Sequence, residues 1–142
     1  MQKRRNKVAA ACCNGYLYAI GGHESSTLNK SLVRHDDGER FDPKSNQWTL
    51  ITSFSRPKEN LGICAVNTNI YIVGGFDEKI LNEMESYDIE TNKWRKCPSL
   101  SSKRTGAHLI HVPNQIDRNL SQENQHSSTV NRFILAEYLL FN

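Results

Sequence analysis

The chain has 142 residues, 37% of them hydrophobic and 23% charged, which suits one folded domain and argues against a fully disordered chain. Its formal net charge of +3, with both signs interspersed beyond a short basic run at residues 3–5, is too small to indicate a nucleic-acid-binding protein. The longest apolar stretch, residues 133–141, contains Glu137 and is about half the length that spans a bilayer, so no membrane segment is predicted.

The cysteines point to a reducing compartment. Four are present, at positions 12, 13, 64 and 97. They have neither a CxxC spacing nor the density of a secreted domain built on disulfides. Since no signal peptide with an apolar run is found, we expect reduced thiols in a cytoplasmic protein. The basic run at residues 3–5 fits a nuclear address or a phosphate contact, but we interpret it as a solvated terminus.

Four short strands are predicted in the first third of the chain. They cover residues 8–13, 16–20, 39–42 and 47–51. Asn14 and Gly15 join the first strand to the second, because both accept the positive φ of a short hairpin. Asp42 begins the turn into the fourth strand, where its side chain accepts a hydrogen bond from the backbone two residues on. The connections are short enough for an antiparallel meander.

The same order of strands then returns. The second set covers residues 61–66, 70–73, 84–88 and 93–97. Three pairs of segments match: 18–22 with 71–75, 28–29 with 81–82, and 39–48 with 85–94. The first two pairs are displaced by 53 residues and the third by 46, so the first copy carries seven extra residues. We place this insertion in a loop around residues 30–38.

The repeated motif is a Gly-Gly doublet, then Phe or Tyr followed by Asp, then Trp six residues after that Asp. Its residues are Gly21, Gly22, Phe41, Asp42, Trp48, Gly74, Gly75, Tyr87, Asp88 and Trp94. This pattern resembles the kelch repeat over about residues 4–112. The resemblance implies a β-propeller in which each repeat forms one blade of four antiparallel strands. We expect the glycines to avoid a clash with the neighbouring sheet and the tryptophans to fill the wedge between blades.

A third copy begins but does not continue. Residues 107–112 match a first strand, yet the second strand and its Gly-Gly are missing. Residues 114–131, rich in Asn, Gln, Ser and charge, suit a disordered linker, and residues 132–142 return as a short amphipathic strand or helix. The predicted divisions are repeat 1 at 1–54, repeat 2 at 55–100, the start of repeat 3 at 101–113, and a divergent, partly disordered tail at 114–142.

The predicted fold class is therefore all-β: an incomplete kelch β-propeller with two four-stranded antiparallel blades, one strand of a third, and a polar C-terminal tail. Known propellers close with at least four blades. We accordingly expect the chain to need further blades from a longer protein or from association. Of these we favour a piece of a longer protein, or a truncated or alternatively processed product.

Partner contacts are predicted in loops at one end of the blades, where rigid strands hold functional side chains in place. In kelch proteins that bind partners, the loop after Gly-Gly and the loop before the next first strand share one side. The predicted partner-binding residues are Lys7, His23, Glu24, Arg34, His35, Asp36, Asp37, Glu59, Asn60, Phe76, Asp77 and Glu78. The insertion lengthens one of these loops, and its charges are predicted to give specificity. The alternative is a solvated, mobile loop.

Two further groups of residues have simpler interpretations. Arg5, Lys58 and Arg104 recur once per repeat, which favours a structural ion pair or a packed stem over ligand contact. His108 and His111 lie in a predicted strand, where positions i and i+3 point to opposite faces, so no metal site is predicted. No catalytic triad, phosphate-binding loop or zinc-type spacing is found in the sequence.

The resemblance favours a protein-interaction module without enzymatic activity or cofactor. It is similar to the substrate-binding propeller of kelch-like adaptors, which couple a cullin-RING ubiquitin ligase to its targets. One alternative is an actin- or cytoskeleton-binding kelch protein. Another is a fragment of a kelch-propeller oxidase, whose copper is held by Tyr and His, although no such ligand set is recognisable. The expected partner is a protein, with no nucleic acid and no membrane.

Overall fold

The computed structural model describes residues 1–25, 31–112 and 132–136, and within them every regular element is a β-strand. The strands are β1 Ala9–Cys13, β2 Tyr16–Ile20, β3 His23–Ser25, β4 Leu32–Arg34, β5 Gly38–Asp42, β6 Gln47–Ile51, β7 Gly62–Val66, β8 Asn69–Val73, β9 Phe76–Asp77, β10 Lys79–Ile80, β11 Met84–Asp88, β12 Lys93–Cys97, β13 His108–Val112 and β14 Arg132–Ala136. They form two four-stranded antiparallel sheets and three two-stranded ones.

The two large sheets are the predicted blades. Blade 1 has the order β1-β2-β5-β6 and blade 2 the order β7-β8-β11-β12. The predicted tight turn between the first two strands is confirmed, since Asn14 and Gly15 have φ of 49° and 79°. Asn67 takes the same left-handed conformation in the second turn, with φ of 54°. The incomplete propeller is thus confirmed in fold class and in strand order.

The core lies between the two blades. Innermost strands β1, β7 and β13 lie side by side. Blade 1 contributes Tyr18, Ile20 and Ile51 to the core, and blade 2 contributes Ile70, Ile72 and Tyr87. Full burial of an aliphatic or aromatic side chain of this kind stabilises the fold by about 1.5–3 kcal/mol. Blade-to-blade packing therefore stabilises the described part of the chain.

The Gly-Gly doublets lie where the backbone touches the neighbouring blade. A Cβ on Gly21 would lie 2.5 Å from the carbonyl oxygen of Lys58, and Gly21 has a φ of +67°. Gly74 repeats this arrangement against the carbonyl of Arg104, with a φ of +63°. Any larger residue would therefore meet both a collision and backbone strain. The predicted reason for these glycines is confirmed.

A buried ion cluster joins the segment before β1 to β5, the third strand of blade 1. Arg5 Nη2 lies 2.6 Å from Asp37 Oδ1, and Arg5 Nε lies 3.0 Å from Glu39 Oε1. Burial tends to raise the pKa of Asp37, but hydrogen bonds from Lys3 and Arg5 outweigh it and hold that pKa below its ordinary value. Asp37, expected to contact a partner, is instead engaged inside the blade. Its carboxylate satisfies a guanidinium that no solvent reaches.

Blade 2 repeats the cluster at equivalent positions. Lys58 Nζ lies 2.7 Å from Glu85 Oε1 and 3.3 Å from Glu83 Oε2. Ser55 also donates to Glu85, from its backbone N–H at 3.1 Å and its hydroxyl at 2.7 Å. The predicted structural ion pair is therefore confirmed for Arg5 and for Lys58.

Trp94 fills the wedge between the blades, as predicted. Its ring packs edge-on against Phe54 with centroids 5.3 Å apart, and against Tyr87 at 5.1 Å. Its indole Nε1–H donates to the carbonyl of Thr52 at 2.8 Å. Trp48 packs on Phe41 at 5.1 Å, on the face of blade 1 that points away from blade 2.

The third sheet joins β13 to β14, with His108 opposite Ala136. This register corresponds to Ala9 opposite Ile20 in blade 1, so β14 lies where a second strand belongs. The tail was predicted as strand or helix, and residues 132–136 are strand. The predicted linker at 114–131 and the end of the tail lie outside the described residues.

Backbone hydrogen bonds show that the seven-residue insertion lies earlier in the chain than predicted. The N–H of His35 donates to the Gly22 carbonyl at 2.9 Å. In blade 2 the N–H of Leu81 donates to the Gly75 carbonyl at 3.0 Å, so His35 and Leu81 are equivalent. The seven extra residues therefore lie between Gly22 and His35, within hairpin β3–β4, and not across 30–38. The match of residues 28–29 with 81–82 had suggested the later position. The hydrogen bonds instead make His35, not Leu28, the equivalent of Leu81.

Asp36 and Asp37 consequently belong to the common scaffold of the blades. The Asp36 carbonyl accepts from the Phe54 N–H at 2.7 Å. The Asn82 carbonyl accepts in the same way from the Leu100 N–H at 2.8 Å. These positions hold the chain between blades in both repeats, which explains why they are not part of a variable loop.

Candidate partner-binding surface

One end of the two blades is built from the hairpins that follow the Gly-Gly doublets. Hairpin β3–β4 carries the insertion, and hairpin β9–β10 is its shorter counterpart in blade 2. Each is joined to the segment before an inner strand by an isolated bridge, Asn6 with His23 and Glu59 with Phe76. The strands therefore bring the two kinds of loop to one side, as the predicted site requires.

Glu59 is the centre of this end. It is only 4% exposed, and a buried carboxylate is costly unless cations or hydrogen-bond donors surround it. Lys7 Nζ lies 3.5 Å from Glu59 Oε1, and Arg34 Nε lies 3.8 Å from Glu59 Oε2. His23 Nδ1 contacts the same Oε2 atom. Three basic side chains from different segments thus meet at one carboxylate.

Arg34 ties the inserted hairpin to blade 2. Its guanidinium carbon lies 5.1 Å from the ring centroid of Phe76, a cation–π geometry. Arg34 Nη1 also lies 4.0 Å from Asp77 Oδ1. The structure brings together six predicted residues: Lys7, His23, Arg34, Glu59, Phe76 and Asp77. Their mutual contacts join β3 and β4 of blade 1 to β9 of blade 2.

Three residues in the left-handed conformation lie next to one another just before the inner strands. Lys7, Asn60 and Gly106 precede the three inner strands at equivalent positions, with φ of 49°, 57° and 67°. The Asn60 N–H donates to the Lys7 carbonyl at 3.1 Å, and the Gly106 N–H donates to the Asn60 carbonyl at 2.9 Å. A cavity of about 270 Å³ opens beside them. Sequence reasoning missed this row, although the repeat alignment already places the three residues in register.

Four other predicted contact residues do not belong to the group around Glu59 and Arg34. His35 is 9% exposed, and its Nε2 lies 3.1 Å from the Arg4 carbonyl, so it is corrected from a loop contact to an internal residue. Asn60 uses its side-chain amide on the Thr105 hydroxyl at 3.1 Å. Glu24 is half-buried on β3, whereas Glu78 is exposed in the turn of the second hairpin.

Sequence reasoning missed the apolar part of this end. Leu32 is 46% exposed, Val33 56% and Ile80 42%, and all three lie on the hairpins. Charged loop residues were predicted as contacts, and the aliphatic side chains within the insertion were not. The signal was nonetheless present as a Leu-Val pair in an otherwise polar segment.

The described residues were also compared with the requirements of a metal centre and of a membrane-spanning helix, and they meet neither. Within residues 1–25, 31–112 and 132–136, no group of three or more His, Cys, Asp or Glu side chains is arranged to hold a metal ion. The search for a helix long and apolar enough to cross a membrane, over those residues, found none.

Comparison with known families agrees with the blade geometry. The kelch motif matches residues 4–55 and 57–101, which is more than half of the chain. The chain belongs to the kelch-repeat family. Human Kelch-like protein 4 is 36% identical over 75 residues, which cover 52% of the chain and 10% of that protein. An N-acetylneuraminate epimerase of Pasteurella multocida is 33% identical over 81 residues, covering 56% of the chain and 21% of the epimerase.

A solved structure shows the same fold. The structure of YjhT aligns with a TM-score of 0.65 and 18% sequence identity, covering 74% of this kelch chain and 41% of YjhT. At that identity the likeness concerns the fold alone. The kelch chain spans about a tenth to a fifth of the length of the two relatives named above.

Proposed function

We propose that this kelch chain is a protein-interaction module that holds a partner on the surface made by hairpins β3–β4 and β9–β10. The observation that carries the proposal is the exposure of Leu32, Val33 and Ile80 on hairpins fixed by buried charges. Exposed aliphatic residues rimmed by polar ones favour a protein contact.

Pre-organisation supports this choice of surface. Arg34 on β4 packs on Phe76 and lies 3.8 Å from Glu59 and 4.0 Å from Asp77, so β4 already contacts β9 before any partner arrives. A rigid surface loses less conformational entropy on binding than a loop that must first be ordered. Lys7, whose side chain is 57% exposed, adds a cation at the rim that favours an acidic group on the partner.

The finer role that we propose is substrate recognition for a cullin-RING ubiquitin ligase, in the cytoplasm, as part of a longer kelch-like protein. Its support is the resemblance to kelch-like proteins, of which Kelch-like protein 4 is an example. No contact in the described residues favours the actin-binding or the oxidase alternative.

A comparison of three forms tests the surface. Val33→Asp places a charge on the exposed side of the inserted hairpin, and Leu50→Asp is its matched control on β6, at 44% exposure. Quantitative affinity capture from cells should yield partners that bind the unmodified chain and the Leu50→Asp form but are lost with Val33→Asp. An identical set of partners for all three forms would contradict the proposed surface. Detection of a cullin among partners of the full-length protein would test the finer role.

A further inference from the structure

The turn between β1 and β2 lies at the end of β1 that is remote from the candidate partner-binding surface. It consists of Asn14 and Gly15, both exposed, with φ of 49° and 79°. A Cβ on Gly15 would meet no atom within 4 Å. Among the described residues the Gly15 N–H donates to no acceptor, and the strand ladder closes at the pair Cys13 and Tyr16. The turn is therefore open to water and weakly restrained.

The equivalent turn of blade 2 is held more firmly. Asn67 and Thr68 occupy it, and the Thr68 carbonyl accepts a hydrogen bond from the Ile89 N–H at 3.0 Å. The residue equivalent to Ile89 in blade 1 is Pro43, which has no N–H to donate. The Asn67 carbonyl also accepts from the Cys13 thiol at 3.2 Å. Blade 2 thus restrains its turn at two carbonyls, whereas the turn of blade 1 lacks the first of these restraints.

An Asn followed by Gly can react with the backbone of its own chain, because Gly has no side chain to shield its nitrogen. This pair occurs once in the sequence, at Asn14 and Gly15. When the Gly15 nitrogen gives up its proton, its electron pair attacks the side-chain carbonyl carbon of Asn14. A new C–N bond closes a succinimide ring, the bond to the side-chain nitrogen breaks, and that nitrogen leaves with the proton as ammonia. Water then opens the ring to aspartate or isoaspartate, so one water is consumed for each ammonia released.

We propose that Asn14 is a site of spontaneous covalent modification, where the amide is converted to aspartate and isoaspartate as the protein ages. In the isoaspartate product the chain runs through the former side chain, which adds one methylene to the backbone. A two-residue turn with positive φ at both positions matches the twist of its strands only at its own length. The added methylene therefore disturbs the pairing of β1 with β2 beside the turn. Because β1 packs against β7, the modification also loosens the contact between the blades.

Peptide mapping by mass spectrometry, after incubation of the folded chain at neutral and mildly alkaline pH, gives the first test. Asn14 should lose its amide about tenfold faster than Asn67, since the Thr68 side chain shields the nitrogen that Gly15 leaves open. The rate should rise with pH, because the attacking nitrogen must lose its proton. In Gly15→Asn the conversion at position 14 should slow to the rate at Asn67, and the turn should be kept because Asn tolerates positive φ.

A short peptide of residues 11–18, incubated in parallel, shows whether the conditions allow the reaction in an unfolded chain. If this peptide is converted while Asn14 of the folded chain keeps its amide, the proposal is overturned. Conversion of Asn67 at the same rate as Asn14 would overturn it as well, because the two turns would then not differ.

Urea denaturation of the aged protein tests the structural consequence. Ion-exchange chromatography separates the converted chains, since each has gained a negative charge. They should unfold at a lower urea concentration than the unmodified chain. Asn14→Asp is the matched control, because it adds the same charge without the methylene, and it should unfold like the unmodified chain. Equal unfolding midpoints for the isoaspartate-containing fraction and for Asn14→Asp would contradict the predicted disturbance of hairpin β1–β2.

Discussion

The two blades have equivalent buried ion clusters but differ in the hairpins at one end. Blade 1 clamps Arg5 with Asp37 and Glu39, and blade 2 clamps Lys58 at equivalent positions. By contrast, hairpin β3–β4 is seven residues longer than its counterpart β9–β10 and exposes Leu32 and Val33. The shared cluster supports the blade, while the unequal hairpins offer different surfaces. In this chain the ion cluster that supports each blade is therefore alike in the two repeats, whereas the hairpins differ in length and in exposed residues.

Removing a clamped cation should have the largest effect on stability. Lys58→Met leaves Glu85 as a buried charge without its main partner, and such a loss typically costs about 3–5 kcal/mol. Arg5→Met should cost a similar amount in blade 1, since Glu39 is fully buried. Urea denaturation, with the free energy of unfolding extrapolated to water, measures both.

The matched double variant sharpens this prediction. Lys58→Met combined with Glu85→Gln removes the charge together with its partner, so it should recover part of the lost free energy. If Lys58→Met alone unfolds at the same urea concentration as the unmodified chain, the cluster has no structural role.

The two tryptophans should respond unequally, although they occupy the same motif position. Trp94→Ala removes packing on Phe54 and Tyr87 and a hydrogen bond to Thr52, so a loss of about 3 kcal/mol is expected. Trp48→Ala, on the face of blade 1 that points away from blade 2, removes packing on Phe41 only and should cost about 1 kcal/mol or less. Thermal unfolding followed by circular dichroism compares the two. Equal losses would contradict the difference in packing between the two tryptophans.

Acid should weaken the blades through their buried carboxylates. Burial tends to raise the pKa of Glu85, but hydrogen bonds from Lys58 and Ser55 outweigh it and lower that pKa below the ordinary 4.5. Gln2, Arg5 and Lys3 act in the same way on Glu39. A lowered folded-state pKa gives stability that is present above pH 4.5 and is lost as the pH falls further.

The unfolding free energy should therefore decline below about pH 4.5, with a shallower slope in Glu85→Gln. Glu78→Gln, at an exposed turn, is the matched control and should keep the original slope. Stability that rises as the pH falls through this range would contradict the assigned direction.

Local chemistry made most of the fold predictable. The period-two apolar runs, the Asn-Gly turn and the Gly-Gly doublets each act within a few residues, so the strands and their order followed from the sequence. The position of the insertion did not, because the backbone bond from His35 to Gly22 is invisible in a residue match. Nor did the burial of His35 and Asp37, which depends on segments brought close only by folding.

The smallest effect is expected at Lys7, where the two repeats place different residues in the same left-handed conformation. Lys7 has a φ of 49°, and blade 2 has Asn60 there with a φ of 57°. Asn tolerates this region better than Lys. The Lys7 ammonium is exposed and lies 3.5 Å from Glu59, and that carboxylate keeps His23 and Arg34 beside it when Lys7 is replaced. Lys7→Asn should therefore change the unfolding free energy by no more than about 0.5 kcal/mol.

Lys7→Val provides the contrast at the same position. A β-branched side chain is strongly disfavoured at positive φ, so a loss of about 1–2 kcal/mol is expected in the same urea titration. Because both variants lose the Lys7 ammonium, their difference isolates the backbone conformation from the ion pair. If Asn and Val behave alike, the row of left-handed residues does not constrain how successive blades join. If only Val is costly, the left-handed backbone at Lys7 is what lets its carbonyl accept from the Asn60 N–H and so holds the start of β1 beside the start of β7.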